Sequence, residues 1–294
     1  MRDGNNPHKQ ERLRIFERFF DLLWKANAIE ADYVSYDPID QIDAQDWPSM
    51  ADKLVVGQLR EVINGINQFQ SKINHLDAWA RLIAELSSDE AHDLTLSHVS
   101  PIGFFCLCQP YALKERITNA ATQIIHQGNR KVDKKYKAHL LTDVKSLKVP
   151  KWPTSSEKRK ALVAVGKGRW KTFDALETSL LALNTRKFEQ STLNFRTSAN
   201  HLIPPNFELG YGPLVTRYLA PLLEMKPNGD GTSLLIEHLD KPRPAYGFCG
   251  LPPLRLAEVV ILCTEQHATA KACYFALQQV VDEIASIVRS QEDP

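Results

Sequence analysis

Between residues 55 and 83 the apolar side chains Val55, Leu59, Val62, Ile66, Phe69, Ile73, Leu76, Ala80 and Ile83 recur at alternating steps of four and three. That rhythm keeps one stripe on a helix of 3.6 residues per turn and suits neither face of a strand. A second seam near the C-terminus runs through Val260, Cys263, His267, Ala270, Tyr274, Leu277, Val281, Ile284 and Val288, about eight turns. Pro48 and Ser49 mark the start of the first helix, and Pro252 and Pro253 precede the second. The first should end near Leu86, where "SSDE" supplies a capping box of Ser87 with Glu90. Seams this long and narrow need other helices to cover them. The expected fold is therefore all-α, a helical bundle with long antiparallel helices. Glycine is scarce, at 13 residues, and neither a βαβ alternation nor a glycine-rich phosphate loop appears.

Further helices fit between the seams. Residues 11–28 are amphipathic, residues 110–127 follow "CQP", and "TSSEKRKALVAV" opens with a second capping box, Thr154 with Glu157. Residues 172–203 read as one helix, or as two broken near Asn184-Thr185. Residues 204–254 are rich in proline and glycine. They predict an irregular connection, with one helix at 213–224 and a short hairpin around "NGDGT". So long a connection inside a compact domain is often functional. Length alone permits one large domain or two small ones. The chain divides by pattern into an N-terminal helical region, 1–127, a basic linker or arm, 128–171, and a second helical region, 172–294.

The formal net charge of +1 hides an asymmetry. Residues 30–52 hold seven acids and no Lys or Arg, whereas 128–171 hold fourteen Lys/Arg against three Asp/Glu. A basic run is either a solvated face or a polyanion contact. On the second reading Arg130, Lys131, Lys134, Lys135, Lys137, Lys158, Arg159 and Lys160 are candidate RNA contacts, with Tyr136, Trp152 and Trp170 available to stack on bases. The polar opening "MRDGNNPHKQERLR" does not resemble a signal peptide, and "IGFFCLC" is far too short to span a membrane. Five scattered cysteines argue against a secreted disulfide scaffold. The expected address is the cytoplasm, with no membrane partner.

Chemical signals are few. Cys106 and Cys108 lack the spacing of a zinc knuckle and sit in an apolar run. Cys263 and His267 share a helical face, but both occupy the apolar seam; no metal site and no cofactor is expected. No nucleophile elbow is present. One pair remains: Arg196 and His201, in "NFRTSANHLIPPNFELG".

"RTSANH" resembles the motif of the HEPN superfamily, helical-bundle proteins that often carry Arg, four to six residues, then His. The resemblance covers roughly residues 172–290. It implies a metal-independent endoribonuclease or RNA-binding protein, with a site formed where two copies of the chain meet. It also implies a bacterial defence or toxin setting, in which an antitoxin or effector protein is a partner. Arg196 and His201 would be catalytic, and Thr197, Ser198 and Asn200 supporting. Thr197 stands where many catalytic members have Asn, Asp or His directly after the arginine. On a straight helix five residues separate two side chains by about 140°, so one copy does not aim both at a single phosphate. Two copies of the helix across a two-fold axis would; the alternative is a helix that loosens before Pro204, whose ring disfavours helix at Ile203. A plain structural role fits the same residues, because a histidine in a last helical turn interacts favourably with the terminal carbonyls. The competing class of function is a non-catalytic helical interaction or dimerisation protein.

Overall fold

The computed structural model describes residues 7–29, 33–39, 50–140, 143, 153–210, 212, 215–248 and 250–292. Helices dominate. They are α1 (Pro7–Ile29), α2 (Ala51–Ile83), α3 (Ser88–Leu94), α4 (Ser100–Val132), α5 (Ser155–Gly166), α6 (Phe173–Ala182), α7 (Arg186–Ser191), α8 (Phe195–His201) and α9 (Leu256–Glu292). A π-helical turn, Thr95–Val99, joins α3 to α4. Two strands, β1 (Val215–Pro227) and β2 (Ser233–Phe248), pair antiparallel.

Both apolar seams face inward. In α2 every seam residue is buried except Ala80, which is partly covered. In α9 all but Val260 are buried. The start expected at Pro48-Ser49 lies outside the described residues, and α2 begins at Ala51. Both capping boxes form, Ser87 with Glu90 and Thr154 with Glu157. One buried cluster extends from Ile15 to Val288 and takes in Leu162, Val165 and Trp170 from the basic stretch.

Helix α4 lies at the centre. Its expected start at residue 110 is ten residues late: the helix begins at Ser100 and carries Pro110 in its interior. Proline there forfeits one backbone hydrogen bond. Both flanks of the helix are nonetheless buried, with Leu107, Gln109 and Leu113 around the proline, so packing outweighs the local penalty. Against α2, Arg116 donates to the Glu61 carbonyl (3.1 Å) and Gln109 to the Gly65 carbonyl (3.2 Å), while His98 lies flat on Trp79 (5.2 Å). Residue numbers fall along one helix as they rise along the other, so α2 and α4 run in opposite senses.

Helix α9 behaves differently. Cys106 lies near Cys263, Lys114 near Cys273, and Gly128 against Ile284. These pairs rise together, so α4 and α9 run in the same sense. Long helices therefore run antiparallel for α2 with α4 but not for α4 with α9. A long connection between them, residues 133–255, lets the chain return to the end from which α4 started. Close approach is required at Gly128, where a Cβ would stand 2.6 Å from Ile284. Across the cluster, Glu283 of α9 accepts Lys171 N (2.9 Å), Thr172 N (3.0 Å) and Thr172 Oγ1 (2.7 Å), capping α6. Burial pushes that carboxyl up, but these hydrogen bonds outweigh it and hold the group below its usual range.

The connection 204–254 departs most from expectation. Strand β1 replaces the helix expected at 213–224, and the short hairpin becomes a long one, turning at Asn228–Thr232. Pro221 and Pro227 oppose a helix through that segment. Gly231 takes a positive φ of 86° in the tight turn. The fold is thus mostly helical with a two-stranded sheet, rather than all-α.

Two predictions follow from this packing. Buried Asn129 donates to the Val165 carbonyl (2.8 Å) and accepts from Trp170 Nε1 (2.9 Å), tying α4 to α5 and to the turn before α6. Asn129→Ala leaves both partners buried and unpaired, and should cost about 2–4 kcal/mol in urea unfolding. His75 and His126 are each held below the ordinary 6.5, first by burial and then by nearby cations, Lys72 for His75 and Arg130 for His126, though Asp143 pulls His126 upward. The unfolded chain therefore takes up protons first on acidification, and stability should fall as pH drops from about 6.5. Urea midpoints measured between pH 7.5 and 5.5 should show that slope, and His75→Gln with His126→Gln should flatten it.

Candidate functional site

The stretch expected to be one or two helices, 172–203, is three short ones. Asn184 (φ 50°) breaks it as anticipated, and Leu193 and Asn194 (φ 53° and 52°) break it again just before α8. Left-handed backbone at two successive non-glycine residues is uncommon. It turns the chain so that α8 leads with Phe195. That ring is buried, edge-on to Phe104 (6.1 Å) and tilted against Phe207 (5.5 Å). Phe207 in turn covers Gly103, where a Cβ would stand 2.5 Å from its ring. Helix α8 ends at His201; Leu202 is extended, and Pro204 follows.

On this anchored helix Arg196 is half-buried and its Cζ lies 3.9 Å from the centre of the Tyr111 ring. The Tyr111 hydroxyl shares a hydrogen bond with Ser155 Oγ (2.9 Å), linking α8 through α4 to the start of α5. Among the described residues no carboxylate pairs with Arg196. The cation rests instead on an aromatic face, a contact that leaves the guanidinium's donor edge available. Burial pushes the neighbouring Cys108 thiol up, and the Arg196 charge pulls the other way. Of the supporting candidates, Ser198 is buried, while Thr197 and Asn200 are exposed. His201 is exposed at the helix end.

Arg196 and His201 share one helix of seven residues, and at 100° per residue they point about 140° apart. Beside Arg196 lies a cleft of about 10 Å³, lined by Asn184, Phe188, Glu189 and Thr192, with room for no more than a water. Glu189 there accepts from the Asn184 amide (3.0 Å). A nucleotide would have to lie across the surface of α8, not inside it.

The basic candidates divide into two sets. Lys158 is bound to Glu115 (2.7 Å), and Arg159 lies 3.7 Å from Glu177. Both stand on α5 near Tyr111, as does exposed Lys160. Arg130, Lys134, Lys135 and Lys137 are exposed and Lys131 half-buried at the far end of α4, about 28 Å from Tyr111 at 1.5 Å per residue. Tyr136 is half-buried beneath Arg169 (5.1 Å), Trp170 is buried, and Trp152 lies outside the described residues. Trp170 is thus unavailable for stacking on a base.

Elsewhere, burial pushes the Cys106 and Cys273 thiols up to about 12 and Cys263 well above its ordinary value. In these surroundings the three thiols are neutral and buried in the core. Among the described residues no helix is long and apolar enough to cross a membrane. Sequence reasoning missed Tyr111. It stands 85 positions before Arg196, and no local pattern ties the two. Compared with family models, curated proteins and solved structures, the chain matches none.

A double-mutant cycle of Tyr111→Leu with Arg196→Met, read by urea unfolding, should give a coupling of about 0.5–1 kcal/mol. Zero coupling would mean that the ring does not hold the guanidinium.

Proposed function

We propose that this protein binds RNA and that two copies together cleave it without a metal, using Arg196 and His201. The observation that carries this reading is the state of Arg196. Its cation is immobilised on Tyr111 with no carboxylate among the described residues spending its charge, five positions from an exposed imidazole. The divergence of the two side chains and the small cleft favour a groove between two copies. The exposed cations Lys160, Arg130, Lys134, Lys135 and Lys137 would add sequence-independent, salt-sensitive attraction.

In such a groove Arg196 grips the scissile phosphate and offsets the charge that develops on it. His201 of one copy takes the proton of the ribose 2′-hydroxyl as that oxygen attacks phosphorus. The bond from phosphorus to the 5′ oxygen breaks, and the leaving oxygen takes a proton from the imidazolium of the second copy. The products are a 2′,3′-cyclic phosphate and a 5′-hydroxyl. A cytoplasmic defence or toxin role, with an antitoxin or effector partner, belongs to the same proposal and follows from the motif resemblance alone. A second reading, a non-catalytic interaction protein, is favoured by the exposed apolar hairpin.

End-labelled RNA incubated with the protein in EDTA should be cut. Arg196→Ala and His201→Ala should each lower the rate by about 10²–10⁴, with His201→Ala still binding RNA at low salt. No cutting by the parent, or cutting unchanged in both variants, would overturn the enzyme reading.

A further inference from the structure

The hairpin of β1 and β2 is a two-stranded ladder with no buried residue on either strand. A two-stranded hairpin is marginal in water without a covered face. Its rungs alternate between faces. One face carries Val215 with Phe248, Arg217 with Tyr246, Leu219 with Pro244, and Pro221 with Pro242. Beyond the irregularity after Pro221, continued alternation along β1 adds Leu223 with Glu237, Met225 with Leu235, and Pro227 with Ser233. Most of the hairpin's large exposed apolar side chains fall on this face, Phe248 at 83%, Tyr246 at 71%, Met225 at 70% and Leu219 at 68% exposed among them. The opposite face is more polar and partly covered, with Thr216, His238 and Ala245 half-buried and Glu224 bonded to His238 (2.8 Å).

We propose that this face packs on the same face of a second copy, so that the hairpin is a dimerisation arm. Four observations select a second copy as the occupant. Pro221, Pro227, Pro242 and Pro244 remove donors from both strands, which disfavours adding a strand at an edge and leaves the face as the contact. The arm carries four Lys/Arg and four Asp/Glu between 215 and 248, so it offers no attraction to RNA or an anionic membrane. The seven large apolar side chains of the face supply about 100 Å² each. Two copies then bury about 1,400 Å², within the range of a stable interface. Finally, among the paired rungs of this face the charges are Arg217 and Glu237, on its second and fifth rungs. A two-fold axis between the third and fourth rungs sets each arginine's rung against the partner's glutamate rung, twice per dimer.

The root of the arm is fixed to the body. Gly212 and Leu251 bridge its base, and Phe207 bridges to Leu254 while packing on Phe195 of α8. Arm pairing therefore joins two copies at the end of the bundle that carries α8. The inference does not rest on RNA cleavage and is tested with no RNA present.

Sedimentation equilibrium of the full chain should show a dimer, dissociating at or below the micromolar range. Leu219→Asp with Met225→Asp should give a monomer, while Tyr218→Asp on the opposite face should leave the dimer intact. Arg217→Glu and Glu237→Arg should each weaken association several-fold, and the two together in one chain should restore it. Circular dichroism melts identify any variant that has unfolded, and the charge-swap set then decides. A parent that stays monomeric at about 100 µM, far above the expected Kd, would overturn the proposal. So would a dimer indifferent to the face substitutions and charge swaps, or one equally lost in Tyr218→Asp.

Discussion

Helix α4 is the element against which the rest is arranged. It is buried along most of its length, yet it carries Gln109, Thr118, Thr122, His126, Gln127 and Asn129 into the interior. Burying polar groups costs free energy unless they find partners, and all of these but the Gln127 Oε1 do so among the described residues. Gln109 reaches the Gly65 carbonyl, Thr118 and Thr122 bond back to carbonyls one turn earlier, His126 meets Tyr136, and Asn129 holds both Val165 and Trp170. Gln109 fixes α2 and Asn129 fixes α5 and the turn into α6, whereas the threonine bonds stay within α4 and His126 holds the segment that follows it. Close approach at Gly103 and Gly128 then brings Phe207 and α9 against the same helix. The polar residues select which surfaces meet, and apolar burial supplies the drive.

That arrangement explains what the sequence reveals and what it conceals. The seams of α2 and α9 are legible because in each an apolar stripe recurs at steps of four and three along the helix. Helix α4 shows no comparable stripe, since it is covered on several sides and its apolar pattern is broken by the polar groups just named. Its true start escapes notice because Pro110 is a strong local stop that only tertiary packing overrides. The shared direction of α4 and α9 is a matter of connection and leaves no periodic trace. The hairpin is obscured for a different reason. Proline recurs in strands where alternation would otherwise declare them, and neither face is buried enough to impose a clean pattern.

The candidate site divides in the same way. Arg196 and His201 are visible as a spaced pair, and the Pro-Pro stop after them is visible too. The second break at Leu193-Asn194, which turns α8 onto the body, starts at a leucine, a residue that rarely adopts left-handed backbone, although the asparagine after it does so more readily. Tyr111, which holds the guanidinium, comes from a helix distant in sequence. Helix α8 is therefore anchored by Phe195 and aromatic contacts, with its histidine end left to the surface. The arm leaves the body from the same region, so an assembly contact made through it brings two such surfaces into one neighbourhood.

The central claim is that one cooperative body is organised by α4, with the hairpin standing off it. Amide hydrogen exchange on the full chain in dilute solution tests this most directly. Amides of residues 106–128 should be the slowest in the protein and should open only with global unfolding. The strands 215–227 and 233–248 should exchange orders of magnitude faster. Exchange of α4 in two separate steps, or ahead of α2 and α9, would contradict the account.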